Sequence, residues 1–250
     1  MYRYLRTLAM MLVGFLPAVG LHHGGVMAWA MPVMLALGLT SGWPALANSP
    51  APHTARLVLA VTAATGIGLA TWWDGPAAAA TATLLAIGAG FTLAMVRELV
   101  RTGSRDHLIR SVTATTTGVA QTAICGLYLG AYPDWVGLAR AGAIGIAAGG
   151  LAALVGLVLT RHRGAWLACT GLGVAIGGIG AWALSDWLGV SWSFALLLGG
   201  ICALLPVMLT AWLEGPASSW SKRMSPRDAA LIVLPTVLAA GPVWVAALIA

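Results

Sequence analysis

Charged side chains are scarce in this sequence. Only 8% of its 250 residues are Asp, Glu, Lys or Arg, whereas 60% are apolar. Soluble globular domains are about one-quarter charged. A surface with so few ionisable groups cannot keep a chain of this size dissolved in water, but a surface that faces lipid needs none. The composition therefore excludes a soluble globular protein. It predicts an all-α integral membrane protein, with residues 1–250 forming one polytopic domain and no soluble domain.

Motifs that carry catalytic chemistry are also missing. The sequence contains neither HExxH, which supplies zinc ligands and a base, nor GxSxG, which presents a serine nucleophile. Acidic residues inside a membrane span are the usual mark of proton relays. All seven acids fall at or near the ends of predicted spans: Asp74, Glu98, Asp106, Asp134, Asp186, Glu214 and Asp228. We therefore predict that the chain is not an enzyme and that it has no cofactor and no metal site.

Cysteine is rare, with three residues and no CxxC spacing. Cys125, Cys169 and Cys202 each fall in a different apolar run, so we expect them to be small buried packing residues. Paired histidines can bind a metal or sense pH, and His22 and His23 precede two glycines at a predicted turn. Two ligands alone do not form a metal site. We interpret the pair as part of an ordinary polar turn.

The sequence does contain a series of apolar segments, each close to the roughly 20 residues that cross a bilayer as a helix. Charges, prolines and tryptophans divide the chain into nine such segments. They cover residues 7–21, 26–46, 57–73, 77–96, 108–132, 138–160, 165–187, 191–213 and 229–249. Most links between them are very short, which places consecutive helices antiparallel. The sequence therefore predicts an up-and-down bundle of about nine transmembrane helices.

The basic residues test that count independently, because they play no part in locating the spans. When the loops are assigned alternately to two sides, only Arg140 falls on one side. The others share the opposite side: Arg3, Arg6, Arg56, Arg97, Arg101, Arg105, Arg110, Arg161, Arg163, Lys222, Arg223 and Arg227. Basic loops face the cytoplasm. The pattern predicts a cytoplasmic N-terminus, an extracytoplasmic C-terminus and the bacterial cytoplasmic membrane. It also accounts for the net charge of +6 without a nucleic-acid partner.

The fifth predicted span is the most polar. Its hydroxyl and amide side chains crowd into fewer than three turns: Thr113, Thr115, Thr116, Thr117, Gln121 and Thr122. Thr113, Thr117 and Gln121 recur every four residues and share one helix face, which Thr116 flanks. The Gln121 amide would lack partners in lipid, so we expect this face to turn toward another helix or a hydrated cavity. It is either structural, through interhelical hydrogen bonds, or the lining of a substrate path.

The loop at residues 97–110 is the longest strongly basic segment. It carries Arg97, Arg101, Arg105 and Arg110 and is predicted to face the anionic membrane surface. Each basic residue near such a surface contributes about 1 kcal/mol of attraction. Anchoring to membrane lipids is the simpler interpretation. The more specific one is docking of a phosphate-bearing lipid head group or of a cytoplasmic partner.

Glycine and proline are frequent inside the predicted spans. Gly145 with Gly149, and Gly173 with Gly177, have the GxxxG spacing that lets membrane helices approach closely. We expect close packing at these glycines, and a hinge for alternating access is the alternative. Prolines that remove a helical hydrogen bond are expected to kink four spans: Pro17, Pro32, Pro206, Pro235 and Pro242.

Two functions are compatible with these features. The leading hypothesis is a permease-like or lipid-handling transporter of the cytoplasmic membrane, favoured by many spans, kinked helices and one polar helix face. The alternative is a non-catalytic membrane subunit or assembly scaffold, whose glycine-rich helices and basic loop bind a partner membrane subunit or a second copy of the chain. Water access to Thr113, Thr117 and Gln121 distinguishes them, because a transport path is hydrated and a packed interface is sealed.

Overall fold

The computed structural model describes residues 2–72, 75–100, 108–129, 136–159, 163–213 and 225–249. Within these ranges the chain forms helices and no strand. The helices are α1 (Tyr2–Gly14), α2 (Leu16–His23), α3 (Gly25–Leu46), α4 (Pro52–Trp72), α5 (Pro76–Val100), α6 (Leu108–Ile124), α7 (Val136–Leu159), α8 (Arg163–Ala183), α9 (Ser185–Leu188), α10 (Trp192–Leu213) and α11 (Pro226–Ile249). A 3-10 turn, Cys125–Tyr128, follows α6. The all-α class is confirmed for the described residues.

Eight helical segments of the described chain are long and apolar enough to cross a membrane. They are the run Tyr4–His23, formed by α1 and α2 together, and the helices α3, α4, α5, α7, α8, α10 and α11. They match eight of the nine predicted spans. The remaining predicted span, residues 108–132, corresponds to α6 and the 3-10 turn. The α-helical part of it has 17 residues.

Proline acts differently in the first span than in the others. Pro17 lies in the first turn of α2, and the chain is interrupted at Phe15, so this span is two helices. A proline in that turn cannot donate the hydrogen bond that would join it to the preceding turn. The other prolines of the set expected to kink the spans lie inside continuous helices: Pro32, Pro206, Pro235 and Pro242.

The seventh predicted span, residues 165–187, extends beyond the helix that forms it. Helix α8 ends at Ala183, and the following residues form the separate four-residue helix α9. Gly189 ends α9 with a φ of 66°, a left-handed conformation that glycine adopts without a steric penalty. The tip that carries Asp186 and Trp187 is therefore a distinct element packed beside α7 and not the last turn of a span.

Helices α3 and α11 pack along each other at the centre of the described chain. Leu35 and Leu39 of α3 and Leu231 and Val237 of α11 are fully buried in one apolar cluster. Helices α4, α5 and α6 lie together on one side of this pair, and α7, α8 and α10 lie together on another. The three cysteines are buried and free, which confirms their predicted role as packing residues.

Close helix packing at the GxxxG glycines is confirmed. A Cβ atom on Gly149 would overlap the carbonyl oxygen of Ala203 in α10, and one on Gly177 would lie 2.6 Å from the carbonyl oxygen of Gly199. On the α8 side, a Cβ on Gly173 would lie 3.4 Å from the Cα of Gly149. The backbones of α7, α8 and α10 therefore touch at positions where no side chain fits.

Candidate functional site: the two polar faces of helix α6

Helix α6 carries hydroxyl groups on two opposite faces. Ser111, Thr115 and Thr122 are buried, and α6 packs mainly on α4, α5 and α3. Thr113 and Thr117 are exposed on the outside of the chain, and Thr116 and Gln121 are half-buried at the sides of that outer face. The structure thus separates the polar residues of this helix into an inner set and an outer set.

The face of Thr113, Thr117 and Gln121 was expected to turn toward another helix or a cavity. Within the described chain its two threonines instead point outward. The Thr117 hydroxyl donates to the Thr113 carbonyl of its own helix at 2.8 Å, and the Thr116 hydroxyl donates to the Val112 carbonyl at 2.9 Å. A threonine bonded in this way needs no partner from another helix. The threonine side chains therefore do not determine whether this face points inward or outward. The packing of the other helices places it on the outside.

Gln121 is the exception within the outer set. Its Oε1 atom is buried and accepts no hydrogen bond from the residues that the structure describes. The amide oxygen cannot bond to its own helix as a threonine hydroxyl does, because the helical N–H groups are already paired, so a buried amide oxygen without a donor is unfavourable by about 1–3 kcal/mol. Gln121 therefore lies at a position where an additional donor would stabilise the chain.

The hydroxyls of the two inner threonines are also bonded within α6. The Thr115 hydroxyl donates to the Ser111 carbonyl at 2.8 Å, and the Thr122 hydroxyl donates to the Gly118 carbonyl at 2.9 Å. Their protons are occupied by the backbone, so these hydroxyls act toward neighbouring helices mainly through their methyl groups and remaining lone pairs.

Trp43 of α3 fixes the position of α6. Its indole Nε1 donates to the Ala114 carbonyl oxygen at 2.8 Å. Its ring lies over Gly118, where an added Cβ would be 2.6 Å from Nε1 and 2.9 Å from Leu59 Cδ2. Nothing in the sequence singles out Trp43. A tryptophan in the last turn of one helix gives no signal for the carbonyl that it contacts on another.

The 3-10 turn after α6 is held by α11. The Tyr128 side chain is 2% exposed, and its hydroxyl donates to the Thr236 carbonyl oxygen at 2.6 Å. On the neighbouring side, a Cβ on Gly126 would lie 2.9 Å from the Gly66 carbonyl oxygen of α4. Trp43 and Tyr128 thus fix α6 near its middle and at its C-terminal end.

A carboxylate holds the other end of α6. Glu98, in the last turn of α5, accepts a hydrogen bond from the Ser111 hydroxyl at 2.5 Å. This bond joins the two helices on either side of the basic loop. Of the loop arginines, Arg97 is half-buried and Arg110 is exposed. Arg101 and Arg105 lie outside the described residues, so docking of a lipid head group or partner at this loop stays a prediction.

A second polar contact joins the first and last helices. Arg6 of α1 is 7% exposed, and its Nη1 lies 3.8 Å from Asp228 Oδ1 of α11. The other carboxylate oxygen of Asp228 accepts hydrogen bonds from the Ser225 backbone N–H at 2.7 Å and hydroxyl at 3.0 Å. Ser three residues before Asp is a recognisable helix-capping pattern, but nothing in the sequence identifies Arg6 as the partner.

The described side chains bring no three of His, Cys, Asp and Glu close enough together to hold a metal ion. Comparison of the chain with protein-family models, with curated proteins and with solved structures found no match.

Proposed function

We propose that the chain is an integral membrane protein with nine spans, in which α6 and its 3-10 turn form the fifth. At about 1.5 Å per α-helical residue and about 2 Å per 3-10 residue, this segment is about 33 Å long, compared with about 30 Å for the hydrocarbon core. Counting it also keeps the basic loops on one side of the membrane. Without it, every basic residue after α6 would change sides, against the positive-inside rule.

Within that topology, the N-terminus is cytoplasmic and the C-terminus lies outside, in a bacterial cytoplasmic membrane. The proposal is supported by eight further segments that are long and apolar enough to cross a membrane. It also agrees with the Arg6–Asp228 contact, which places the start of α1 and the start of α11 at the same end of the bundle.

For function, we favour a non-catalytic membrane subunit whose α6 binds a helix of a partner protein. The observation that carries this proposal is the outward direction of Thr113 and Thr117, with the Gln121 amide beside them. Threonines let membrane helices approach closely, and a half-buried amide whose oxygen accepts no hydrogen bond from the described residues is unfavourable unless another group supplies a partner. Interhelical hydrogen bonds of this kind are worth about 0.6–2 kcal/mol each.

A permease-like or lipid-handling transporter is the second candidate. Its support is the buried Gln121 Oε1 atom, which accepts no hydrogen bond from the described residues. Water or a polar substrate that passed along the face of Thr113, Thr116, Thr117 and Gln121 would supply that donor. The outward direction of the two exposed threonines makes this the weaker proposal, because it places the path outside the chain.

The test uses single cysteines at Thr113 and Thr117 in a chain without its three native cysteines. If α6 binds a partner helix, both positions stay unreactive toward membrane-impermeant thiol reagents in native membranes, and the chain migrates in a larger complex after mild solubilisation. The double substitution Thr117→Leu and Gln121→Leu should release the chain from that complex. The matched control is Leu167→Ala on α8, where the side chain is 77% exposed and no partner is proposed.

Two results would contradict the subunit proposal. Labelling of both cysteines by impermeant reagents would indicate a hydrated path and favour the transporter. Unreactive cysteines on a chain that migrates alone in mild detergent would leave the α6 face in contact with lipid.

A further inference from the structure

Arg140 is the basic residue that the charge pattern leaves on the opposite side from the others, and the structure shows how it is held. Its Nη2 atom lies 2.8 Å from the Nδ1 atom of His22 at the end of α2. Its Cζ atom lies 5.0 Å from the centre of the Trp187 ring on α9. Three elements therefore position this guanidinium, which lies one turn after the start of α7.

The contact with His22 determines which of the two side chains donates the hydrogen bond. An arginine nitrogen always donates, so His22 Nδ1 is the acceptor and the ring proton is on Nε2. The contact uses one of the five N–H donors of Arg140. The geometry thus orients the guanidinium and leaves most of its donors for another acceptor.

The surroundings of Arg140 do not supply a counter-charge from the described chain. The structure pairs no carboxylate of the described residues with it, and Asp186, which precedes Trp187 in the chain, is exposed. A guanidinium stacked on an aromatic ring is well suited to bidentate recognition of phosphate or carboxylate. A ligand that binds here through two hydrogen bonds from the guanidinium therefore carries an anionic group with two oxygens.

The rim around Arg140 has the composition of a membrane interface. Trp187 is 69% exposed, and Val19 and Leu184 are large apolar residues exposed at the same end of the bundle. Tryptophan concentrates at the level of lipid head groups. The rim is also rigid, because a Cβ on Gly137 would overlap the Leu188 carbonyl oxygen, so α9 packs directly on the backbone of α7.

We propose that Arg140, oriented by His22 and Trp187, binds the phosphate of an anionic phospholipid in the leaflet at this rim. The phosphate receives hydrogen bonds from the free N–H groups of Arg140, and the acyl chains cover the exposed apolar side chains below. This site is independent of the partner surface on α6 and lies at the opposite end of the bundle from the loop at residues 97–110. A free phosphate ion would share the polar contacts but would leave the apolar rim uncovered.

The experiment is native mass spectrometry of the full chain released from vesicles that contain phosphatidylglycerol and phosphatidylcholine. Wild type is expected to retain phosphatidylglycerol about tenfold more tightly than phosphatidylcholine, because both lipids offer the same phosphate oxygens to Arg140 but the choline cation of phosphatidylcholine offsets their charge. Arg140→Gln should remove most of that preference. Arg140→Lys keeps the charge but not the bidentate geometry, so it should fall between them. The matched control is Arg56→Gln near the start of α4, at the other end of the bundle and outside the loop at residues 97–110, which should leave the lipid preference unchanged.

Two further arms, the variant Trp187→Leu and added inorganic phosphate, make the outcome decisive. Trp187→Leu leaves the arginine in place but removes the ring that orients it, and it should weaken retention even if Arg140→Gln folds poorly. An unchanged lipid preference in both Arg140→Gln and Trp187→Leu would overturn the proposal. Displacement of the bound phosphatidylglycerol by added inorganic phosphate would also overturn it, because it would identify a free anion and not a lipid as the ligand.

Discussion

Helices α7, α8 and α10 pack through their backbones at several glycines, whereas helices α4, α5 and α6 meet mainly through side chains, with one backbone approach where Gly66 of α4 faces Ala123 and Gly126. In the first group, which we call the glycine bundle, the atoms nearest to an added Cβ at Gly149 or Gly177 are backbone atoms of the neighbouring helix. In the second, the threonine bundle, the atoms nearest to an added Cβ at Gly90 or Gly118 belong to side chains, such as Thr62 and Trp43.

The difference sets how each bundle responds to change. A carbonyl oxygen cannot move without moving its helix, so the glycine bundle has no small adjustment that would admit an extra methyl group. A side chain can rotate or shift, so the threonine bundle can absorb small changes. The comparison indicates that the threonine bundle, which carries the candidate site on α6, is the more adaptable part of the chain.

The largest effect is expected in the glycine bundle. Gly149→Ala should lower the free energy of unfolding by about 1–3 kcal/mol, because the new methyl group would overlap the Ala203 carbonyl oxygen. The measurement is reversible unfolding in mixed detergent and SDS micelles, followed by circular dichroism.

The control for that change is Gly171→Ala in the same bundle. Gly171 is exposed on α8, and an added Cβ there meets no other atom within 4 Å. Alanine lowers the backbone entropy of the unfolded chain, so this variant should be neutral or more stable by up to about 1 kcal/mol. Equal effects at the two glycines would show that helix propensity, and not the contact between backbones, decides the outcome.

A smaller effect is expected where the threonine bundle meets α3. Trp43→Phe removes the hydrogen bond to the Ala114 carbonyl and should cost about 1 kcal/mol. The carbonyl also accepts from the Thr117 hydroxyl at 3.2 Å, so it does not lose every partner. The matched control is Trp72→Phe, where the side chain is 86% exposed, and it should change the same unfolding measurement by much less. A loss as large as that of Gly149→Ala would remove the distinction between the two bundles.

The sequence predicted the glycine bundle better than the threonine bundle, for a physical reason. A glycine in GxxxG spacing has no side chain, and its effect is the same whichever helix approaches, so the pattern identifies the contact without the partner. The spacing of Thr113 and Thr117 identifies a shared face, but it contains no information on the direction of that face. Ser111 and Thr115 form an equally polar face on the other side of the helix, and packing turned that one inward.

Contacts between segments that are distant in the chain could not be predicted from the sequence, for a related reason. The bond from Tyr128 to Thr236 and the pair of Arg6 and Asp228 join residues that are more than a hundred positions apart. Local patterns predict helices, caps and faces, because these depend on neighbours in the chain. Which two helices meet depends on how the whole bundle packs, and a single sequence offers no signal for it here.

The smallest effect is expected for the buried threonine hydroxyls. Thr122 is fully buried, but its hydroxyl donates only to the Gly118 and Val119 carbonyls of its own helix, at 2.9 and 3.1 Å. Thr122→Val keeps the branched shape and leaves those carbonyls with their helical donors, so the free energy of unfolding should change by about 0.5 kcal/mol or less. Thr117→Val on the outer face should change it equally little in a chain kept free of partners. If Thr122→Val instead destabilised the chain as much as Gly149→Ala, the hydroxyl would be bonded to another helix, and the threonine bundle would be as intolerant of change as the glycine bundle.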